Sequence, residues 1–278
     1  MKNQPDLTDQ TQIDLENEQA NVFAMLSEHL QTLSPSQTTL NSLGQHLENR
    51  IQTSIGKHAG LCTIRSKAGT WLNLIKGIRY KFLWQSQQGS SVLIEFAPGA
   101  ALPLHRHQYL EEGIVLSGSL QLDELELKQF DYHVSPTGSR HGRIRSEQGA
   151  VAFLRGSSVG QPMSMLKEVL GSLLPKNHKH SESIHAGQGE WIEIQKGYFQ
   201  KMLWTDGTIA SRFIRIEPET TVPGHPHPFD EETMVLSGEV FLGDILVQQG
   251  DYQIASASSA HLEMSCDKGC LLFVRGAA

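Results

Sequence analysis

The sequence is short of the features that mark secreted, membrane-spanning and nucleic-acid-binding proteins. Three cysteines among 278 residues are too few for a disulfide framework. No apolar run approaches the ~20 residues that a helix needs to cross a bilayer. There is no long basic run, and the net charge of −7 disfavours nonspecific contact with nucleic acid or an anionic membrane. The polar, acidic start of the chain has no apolar signal segment, so we predict a cytoplasmic protein with no nucleic-acid or membrane partner.

The cysteines give little sign of a metal or redox site. Cys266 and Cys270 are close in sequence, but no second pair accompanies them, and Cys62 is distant. Free cysteine packs as a small hydrophobic side chain, so we expect plain buried thiols. Hydrophobic residues make up 38% and charged residues 19% of the chain, which is typical of a globular protein with one or two domains.

The chain contains an internal repeat with an offset of 120 residues. The repeat needs no gap over roughly 85 positions, and about a third of the pairs are identical, which indicates a duplicated domain. The recurring pairs include Trp71 and Trp191, Trp84 and Trp204, His105 and His225, Glu111 and Glu231, Asp131 and Asp251, and His141 and His261.

Each copy reads as a series of short strands. Segments such as SVLIEFAPG and GIVLSGSLQL alternate or run apolar and end at glycine, proline or aspartate, and no helical periodicity interrupts them. This pattern favours an all-β fold of two sandwich-like or jelly-roll barrels. We place an N-terminal tail and helical segment at 1–60, the barrels at 61–157 and 186–278, and a linker with a short helix at 158–185.

Apolar spacing predicts helices only outside the repeats. A stripe of Leu40, Leu43, Leu47 and Ile51 follows Ser34 and Ser36, either of which can cap the helix. An earlier helical stretch runs from Val22 to Leu30 after a disordered tail of about 14 residues. The linker helix carries Met163, Met165, Leu166, Val169, Leu170 and Leu174, and His178 and His180 then read as solvated loop residues.

The sharpest chemical signal is a set of histidines and an acid that occurs in both copies. Side chains two apart on a strand share a face, so His105 and His107 point the same way, and Glu111 has the same parity. Three imidazoles and one carboxylate suit a divalent ion such as Zn, Fe, Mn or Ni. The predicted metal ligands are His105, His107, Glu111 and His141 in the first copy, and His225, His227, Glu231 and His261 in the second.

Simpler interpretations compete with a metal site. A lone strand histidine is more often a polar residue than a ligand, although four matching positions in two copies argue against chance. The second copy could be vestigial, and Pro226 and Pro228 predict an edge or irregular strand around His227. Parity assigns the inward position to Glu111 and not Glu112, which we expect at the rim or in an ion pair.

The residues around the histidines resemble the cupin family. GAALPLHRHQYLEEGIVLSG matches the first cupin motif, and FDYHVSPTGSRH resembles the second, although Phe130 replaces its leading glycine. In the second copy Glu219 and Ser258 stand where the motifs have glycine. The resemblance covers roughly residues 65–277 and implies a bicupin, two six-to-eight-stranded barrels with a metal ion inside each.

Within the cupins, the chain is most similar to the ChrR-type domain of anti-sigma factors. That resemblance implies a regulatory or stress-sensing protein, with a sigma factor or another protein bound through the N-terminal helices and a small molecule in the barrel. The zinc signature of such factors, His-x3-Cys-x2-Cys, is missing, because Leu33 and Ser36 follow His29 at those positions. The family likeness also leaves homodimerisation open.

Two alternatives remain at this point. The first is a metal-dependent dioxygenase that acts on a small chelating diketone or phenol, since open metal positions can hold a substrate. The second is a purely structural metal barrel, in which the ion only ties strands together. Catalytic residues, the metal and the ligand are not identified by the sequence.

Overall fold

The structure is a computed structural model that describes residues 20–22, 24–25, 35–159 and 180–278, without the side chain of His141. The predicted N-terminal tail, much of the first helical stretch and the linker helix with His178 lie outside the described residues. The chain divides into two units, residues 1–57 and 58–278.

In the first unit, helix α1 spans Gln37–Lys57. Its predicted cap is confirmed, because the Ser36 hydroxyl accepts a hydrogen bond from the Thr39 amide at 3.2 Å. None of its residues is buried, and its apolar stripe is exposed at Leu40, Leu43, Leu47, Ile51 and Ile55. No helix in the described part of the chain has the length and apolar character needed to cross a bilayer.

The second unit is built of antiparallel strands. Residues 58–159 form β1 (Leu61–Ile64), β2 (Trp71–Ile75), β3 (Ile78–Ser86), β4 (Gly89–Phe96), β5 (Ala101–Leu102), β6 (His105–Arg106), β7 (Glu111–Leu122), β8 (Leu125–Lys128), β9 (Tyr132–Ser135), β10 (Arg140–His141), β11 (Ile144–Arg145) and β12 (Ala150–Ser157). Residues 180–278 form β13 (Glu182–Ile184), β14 (Ile192–Gln195), β15 (Tyr198–Thr205), β16 (Ile209–Ile216), β17 (Thr220–Val222), β18 (Glu231–Leu242), β19 (Ile245–Gln248), β20 (Tyr252–Ala255), β21 (Met264–Cys266) and β22 (Cys270–Ala277).

These strands confirm the predicted all-β fold with two similar halves. The first ten-stranded sheet has the order β13-β9-β7-β12-β4-β3-β2, with β5, β8 and β11 attached, and β6 pairs with β10 separately. The second has the order β1-β20-β18-β22-β16-β15-β14, with β17, β19 and β21 attached. Each half keeps its own apolar interior, represented by Ile94 and Val115 in the N-terminal barrel and by Ile214 and Val235 in the C-terminal barrel.

The two barrels exchange strands, which the sequence patterns did not reveal. Strand β1 precedes the N-terminal barrel in the chain but pairs with β20 of the C-terminal barrel. Strand β13 precedes the C-terminal barrel but pairs with β9 of the N-terminal barrel. Each sheet is therefore completed by a strand from the segment that leads into the other barrel.

In each barrel an aspartate side chain holds the exchanged segment through hydrogen bonds. Asp251 accepts hydrogen bonds from the Ser66 amide at 2.7 Å and from Arg65 at 2.9 Å. Its repeat counterpart Asp131 accepts from the Ala186 amide at 2.7 Å and lies 2.8 Å from Nδ1 of His185. We call these two arrangements the Asp251 latch and the Asp131 latch.

The barrels share a third apolar cluster between them. Phe153 and Phe273 are repeat counterparts, and their ring centroids lie 5.7 Å apart. All four tryptophans pack against this cluster. The alternation of strand side chains explains the arrangement, because Leu93 on β4 points to the shared cluster while neighbouring Ile94 points into its own barrel.

Two buried ion pairs cross the same interface. Arg155 Nε lies 3.0 Å from Oε1 of Glu232, and Arg275 Nε lies 3.3 Å from Oε2 of Glu112. The expectation of an ion pair for Glu112 is thus met, but a rim position is wrong, since Glu112 is 1% exposed. The residue points away from its own barrel interior into the partner barrel, and that neighbour could not be seen in the strand pattern.

The three cysteines form no disulfide with one another and differ in exposure. Cys266 and Cys270 are buried, as expected, whereas Cys62 is exposed. Burial raises the pKa of the Cys270 thiol, and neighbouring Cys266 raises it further.

Candidate metal centres

The N-terminal candidate centre is formed by the end of β6 and the start of β7. His105, His107 and Glu111 each offer a ligand atom, and these atoms lie within 4.8 Å of one another. His107 is almost fully buried, with its Nδ1 3.5 Å from Oε1 of Glu111. His141 lies beside His105 in the β6–β10 pairing; its side chain is outside the described structure.

The C-terminal candidate centre brings all four predicted residues together. Oε1 of Glu231 lies 3.8 Å from Nε2 of His225, 3.7 Å from Nε2 of His227 and 3.3 Å from Nε2 of His261. The rings of His227 and His261 meet edge to face, with centroids 4.4 Å apart. Three imidazoles therefore surround one carboxylate oxygen.

Local backbone structure explains how the sequence aims these side chains. The prolines around His227 prevent a regular strand, as predicted, and leave an isolated bridge between Pro226 and Ala260. The His261 amide donates to the His225 carbonyl at 2.9 Å, which fixes the later histidine against the earlier one. Gly238 lies within β18 at φ +76°, where a Cβ would lie 2.2 Å from the Gly269 carbonyl oxygen.

Three residues that depart from the cupin motifs keep the backbone conformation that favours glycine. Phe130, Glu219 and Ser258 have φ angles of 65°, 59° and 71°. Their glycine counterparts in the repeat have positive φ as well, for example Gly99 at 78°. Both barrels therefore have the same turns, although glycine occupies each of these positions in only one of the two copies.

Electrostatics in the C-terminal centre favour a deprotonated acid and a neutral imidazole. Burial raises the pKa of Glu231, but the neighbouring imidazoles of His225 and His261 outweigh it and hold the pKa at about 2. Burial lowers the pKa of His227 to about 4. A carboxylate with a neutral imidazole is the protonation state in which these groups bind a metal ion.

The donor set fits a divalent ion. Nε2 of His227 and Nδ1 of His261 are buried without a hydrogen-bond partner among the described residues, and a buried polar atom left in this way is costly. An ion bound between the imidazoles and Glu231 would give Nε2 of His227 a partner. Mixed imidazole and carboxylate ligation suits Zn, Fe, Mn or Ni, so one such ion can be held in each barrel.

The two centres open onto cavities of different chemistry. The N-terminal cavity has a volume of about 150 Å³ and is lined by His105 and Glu111 and by apolar side chains that include Ile94, Leu120 and Ile144. The C-terminal cavity has about 70 Å³ and is lined by His225, Glu231 and His261 together with Tyr198, Arg212, Ile214, Thr233, Leu242, Met264, Leu272 and Val274. The sequence analysis missed Arg212. The signal that could have found it is a difference between the copies, because Val92 stands at its position in the first copy.

Four aromatic residues near the histidines in sequence do not line the cavities beside the candidate centres. Tyr109 and Phe229 line a groove between the barrels. Tyr132 and Tyr252 belong to the shared cluster and donate hydrogen bonds to Glu112 at 2.6 Å and to Glu232 at 2.7 Å. Closeness in sequence to the histidines thus did not predict closeness to the candidate centres.

Comparisons with known structures agree with this architecture. A protein from Nostoc punctiforme PCC 73102, provisionally described as a dioxygenase, has 16% identity and a TM-score of 0.60 over 78% of this chain and 82% of its own. Lactobacillus farciminis oxalate decarboxylase, in a formate complex, has 14% identity and a TM-score of 0.56 over 77% and 85%. A variant of Bacillus subtilis oxalate decarboxylase has 20% identity and a TM-score of 0.54 over 77% and 76%.

At these identities the likeness to solved structures establishes the fold. A search of curated proteins gave no significant match. The family described as "ChrR Cupin-like domain" matches twice, at residues 60–159 and 179–278. The two matches coincide with the two barrels and their candidate centres, and the chain therefore belongs to the ChrR cupin-like family as a bicupin.

Proposed function

We propose that this protein binds one divalent metal ion in each barrel, presents it to a small molecule, and serves a regulatory or stress-sensing role. The observation that carries the proposal is the cavity beside each candidate centre. In both barrels the ligand residues line the cavity wall. A purely structural ion needs no such space.

The ligands differ in burial in a way that suits this role. His107 and His227 are each 2% exposed, whereas the first histidine of each pair is partly exposed. The buried imidazoles would anchor the ion and exclude water from one side. His105 and His225 reach the cavity, where a small molecule would meet them. A bound ion would supply Lewis acidity and coordination positions for a chelating molecule.

The regulatory part rests on the family and on α1. The ChrR cupin-like family match supports it, and the exposed stripe of α1 offers an apolar face for a protein partner. Leu43 is 61% and Ile55 is 60% exposed, and exposed apolar patches of this kind often mark interaction sites. We propose a sigma factor or another protein as that partner, without the zinc signature of anti-sigma factors.

Two measurements test this proposal. Elemental analysis of freshly purified protein should give two equivalents of metal per chain. Affinity purification from cells should recover a partner with the full chain and lose it when residues 1–55 are removed. A protein that folds with no bound metal, and whose ligand histidines can be replaced without consequence, would contradict the metal-dependent role.

A second candidate function is that of a metal-dependent dioxygenase. The apolar lining of the N-terminal cavity favours it, because a small diketone or phenol could chelate the ion and pack its carbon skeleton there. Oxygen consumption by the iron-loaded protein, measured with diketones and phenols, tests this function, and His107→Ala serves as the control. Inertness with all substrates and metals would leave the regulatory role.

A further inference from the structure

We infer that the C-terminal cavity is a binding site for a small carboxylate, which Arg212 recognises beside the metal centre. The inference deepens the proposed function, because it names the ligand class for one of the two centres. It rests on the placement of a fixed positive charge and not on the identity of the metal.

Arg212 lies inside the cavity wall and close to the ligands. It shares the lining with Tyr198 and with the ligand residues His225, Glu231 and His261. Arg212 is thus near enough to the centre for one small molecule to contact both.

The guanidinium has spare capacity to bind an anion. Arg212 Nη2 donates to the Ala277 carbonyl, but Nε is buried without a hydrogen-bond partner among the described residues. No carboxylate in the described part of the chain forms an ion pair with Arg212 within 4.0 Å. Arg212 is partly buried, and a partly buried charge without a counter-ion is unfavourable, so an anion in the cavity would offset that cost.

The chemistry and size of the cavity favour a carboxylate. Guanidinium groups bind planar carboxylates through two parallel hydrogen bonds. Burial raises the pKa of Tyr198, so its hydroxyl stays protonated at neutral pH and can donate a third. A volume of about 70 Å³ is roughly twice the share of one liquid water molecule, which limits the ligand to a few heavy atoms.

The N-terminal barrel provides an internal contrast. Val92 occupies the position of Arg212, as the strand registers show: Val92 pairs with Leu154 and Phe82, and Arg212 pairs with their counterparts Val274 and Met202. Ile78 likewise stands in place of Tyr198. The arginine and the tyrosine at these two positions therefore belong to the second copy and have no counterpart in the first.

Acetate binding to the full chain tests the inference. Acetate is titrated calorimetrically into zinc-loaded and chelator-stripped protein, with acetamide as the neutral isostere. In Arg212→Met we expect the dissociation constant for acetate to rise roughly ten-fold or more, because a charged hydrogen-bond pair is lost. The matched control Arg215→Met removes an exposed arginine from the same strand and should bind acetate like the wild type.

The outcomes separate this inference from the proposed function. Acetate binding that is equal in wild type and Arg212→Met, or no stronger than acetamide binding, would overturn it. If the chain takes up no zinc, only the metal proposal is contradicted. The anion site would still be supported if the metal-free wild type binds acetate and metal-free Arg212→Met does not. If Arg212→Met does not fold, Arg212→Lys decides, because it keeps the charge but loses the paired geometry; unchanged affinity there would also overturn the inference.

Discussion

The N-terminal and C-terminal barrels hold the same histidine and glutamate positions in different surroundings. Around the first centre the cavity is larger and its wall is almost wholly apolar. Around the second it is smaller and contains Arg212, Tyr198 and Thr233. The predicted metal ligands are the same in the two copies, while the residues that would touch a bound molecule differ, so the two cavities offer different chemistry to a small molecule.

The interface between the barrels shows the opposite behaviour. Arg155 with Glu232 and Arg275 with Glu112 are repeat counterparts, so both halves contribute the same residues to the crossed pairs. The exchanged strands β1 and β13 are repeat counterparts as well, and each pairs with the other barrel. The pairing of the halves is thus conserved within the chain, and a difference between the cavities can be tested without disturbing the scaffold.

The largest effect is expected from breaking one crossed ion pair. Arg155→Met leaves Glu232, which is 6% exposed, as an uncompensated buried charge and should lower the free energy of unfolding by about 3–5 kcal/mol. Urea denaturation measures this loss. The double variant with Glu232→Gln should recover much of it; a loss under 1 kcal/mol in the single variant would show that the pair contributes little.

The next effect concerns the independence of the two centres. His107→Ala and His227→Ala should each reduce the bound metal from two equivalents to one, because each removes a buried ligand from one barrel only. Elemental analysis gives the stoichiometry, and the melting temperature should fall in each variant but respond to a chelator less than in the wild type. Loss of both ions in either variant would contradict two separate centres.

A smaller effect is expected from both latches at acidic pH. Burial raises the pKa of Asp251, but hydrogen bonds from the Ser66 amide and Arg65 outweigh it and lower the pKa below 3.8; in Asp131 the amides of Lys128 and Ala186 and the side chain of His185 do the same. A carboxyl whose folded pKa lies below its unfolded pKa stabilises the fold above the unfolded value and loses that contribution as the pH falls.

Replacing either latch aspartate tests this sign. Asp251→Asn and Asp131→Asn should each cost about 1–3 kcal/mol at pH 7, and the difference from the wild type should shrink as the pH falls below about 4. Unfolding curves at several pH values measure it. A penalty that stays constant down to pH 2 would contradict the role of the ionised carboxylate.

A change in the wall of the N-terminal cavity sharpens the contrast in ligand chemistry. Leu74 lines the N-terminal cavity, so Leu74→Phe should weaken phenol binding while changing stability by less than about 1 kcal/mol. Its repeat counterpart Ile194 is 57% exposed, and Ile194→Phe is the matched control. Calorimetric titration with phenol measures both, and equal affinity in all three proteins would place phenol outside this cavity.

The smallest effect concerns backbone strain in the second copy. Glu219 has φ 59° where the first copy has Gly99, so Glu219→Gly should raise the free energy of unfolding by up to ~1 kcal/mol. Glu217→Gly, two residues earlier, should not stabilise the protein. Stabilisation by both substitutions would point to a cause other than the left-handed conformation.

Much of the site followed from spacing alone. His225, His227 and Glu231 share a parity on one face, and His261 was placed with them only by its recurrence at the offset of His141. The Ser36 cap and the irregular strand at Pro226 could also be predicted from the nearby sequence, because hydroxyl capping and the missing proline amide act within a few residues. Phe130 and Ser258, by contrast, keep turns that their identities do not predict.

The sequence by itself determined the duplication, the all-β halves and the recurring imidazole and carboxylate set, because strand periodicity and repeat offset are properties of the linear chain. Only the tertiary structure decided that β1 and β13 are exchanged, that Glu112 crosses into the other barrel, and that Arg212 lines the cavity beside a candidate metal centre. These facts depend on which distant strands become neighbours, and packing between the halves sets that choice.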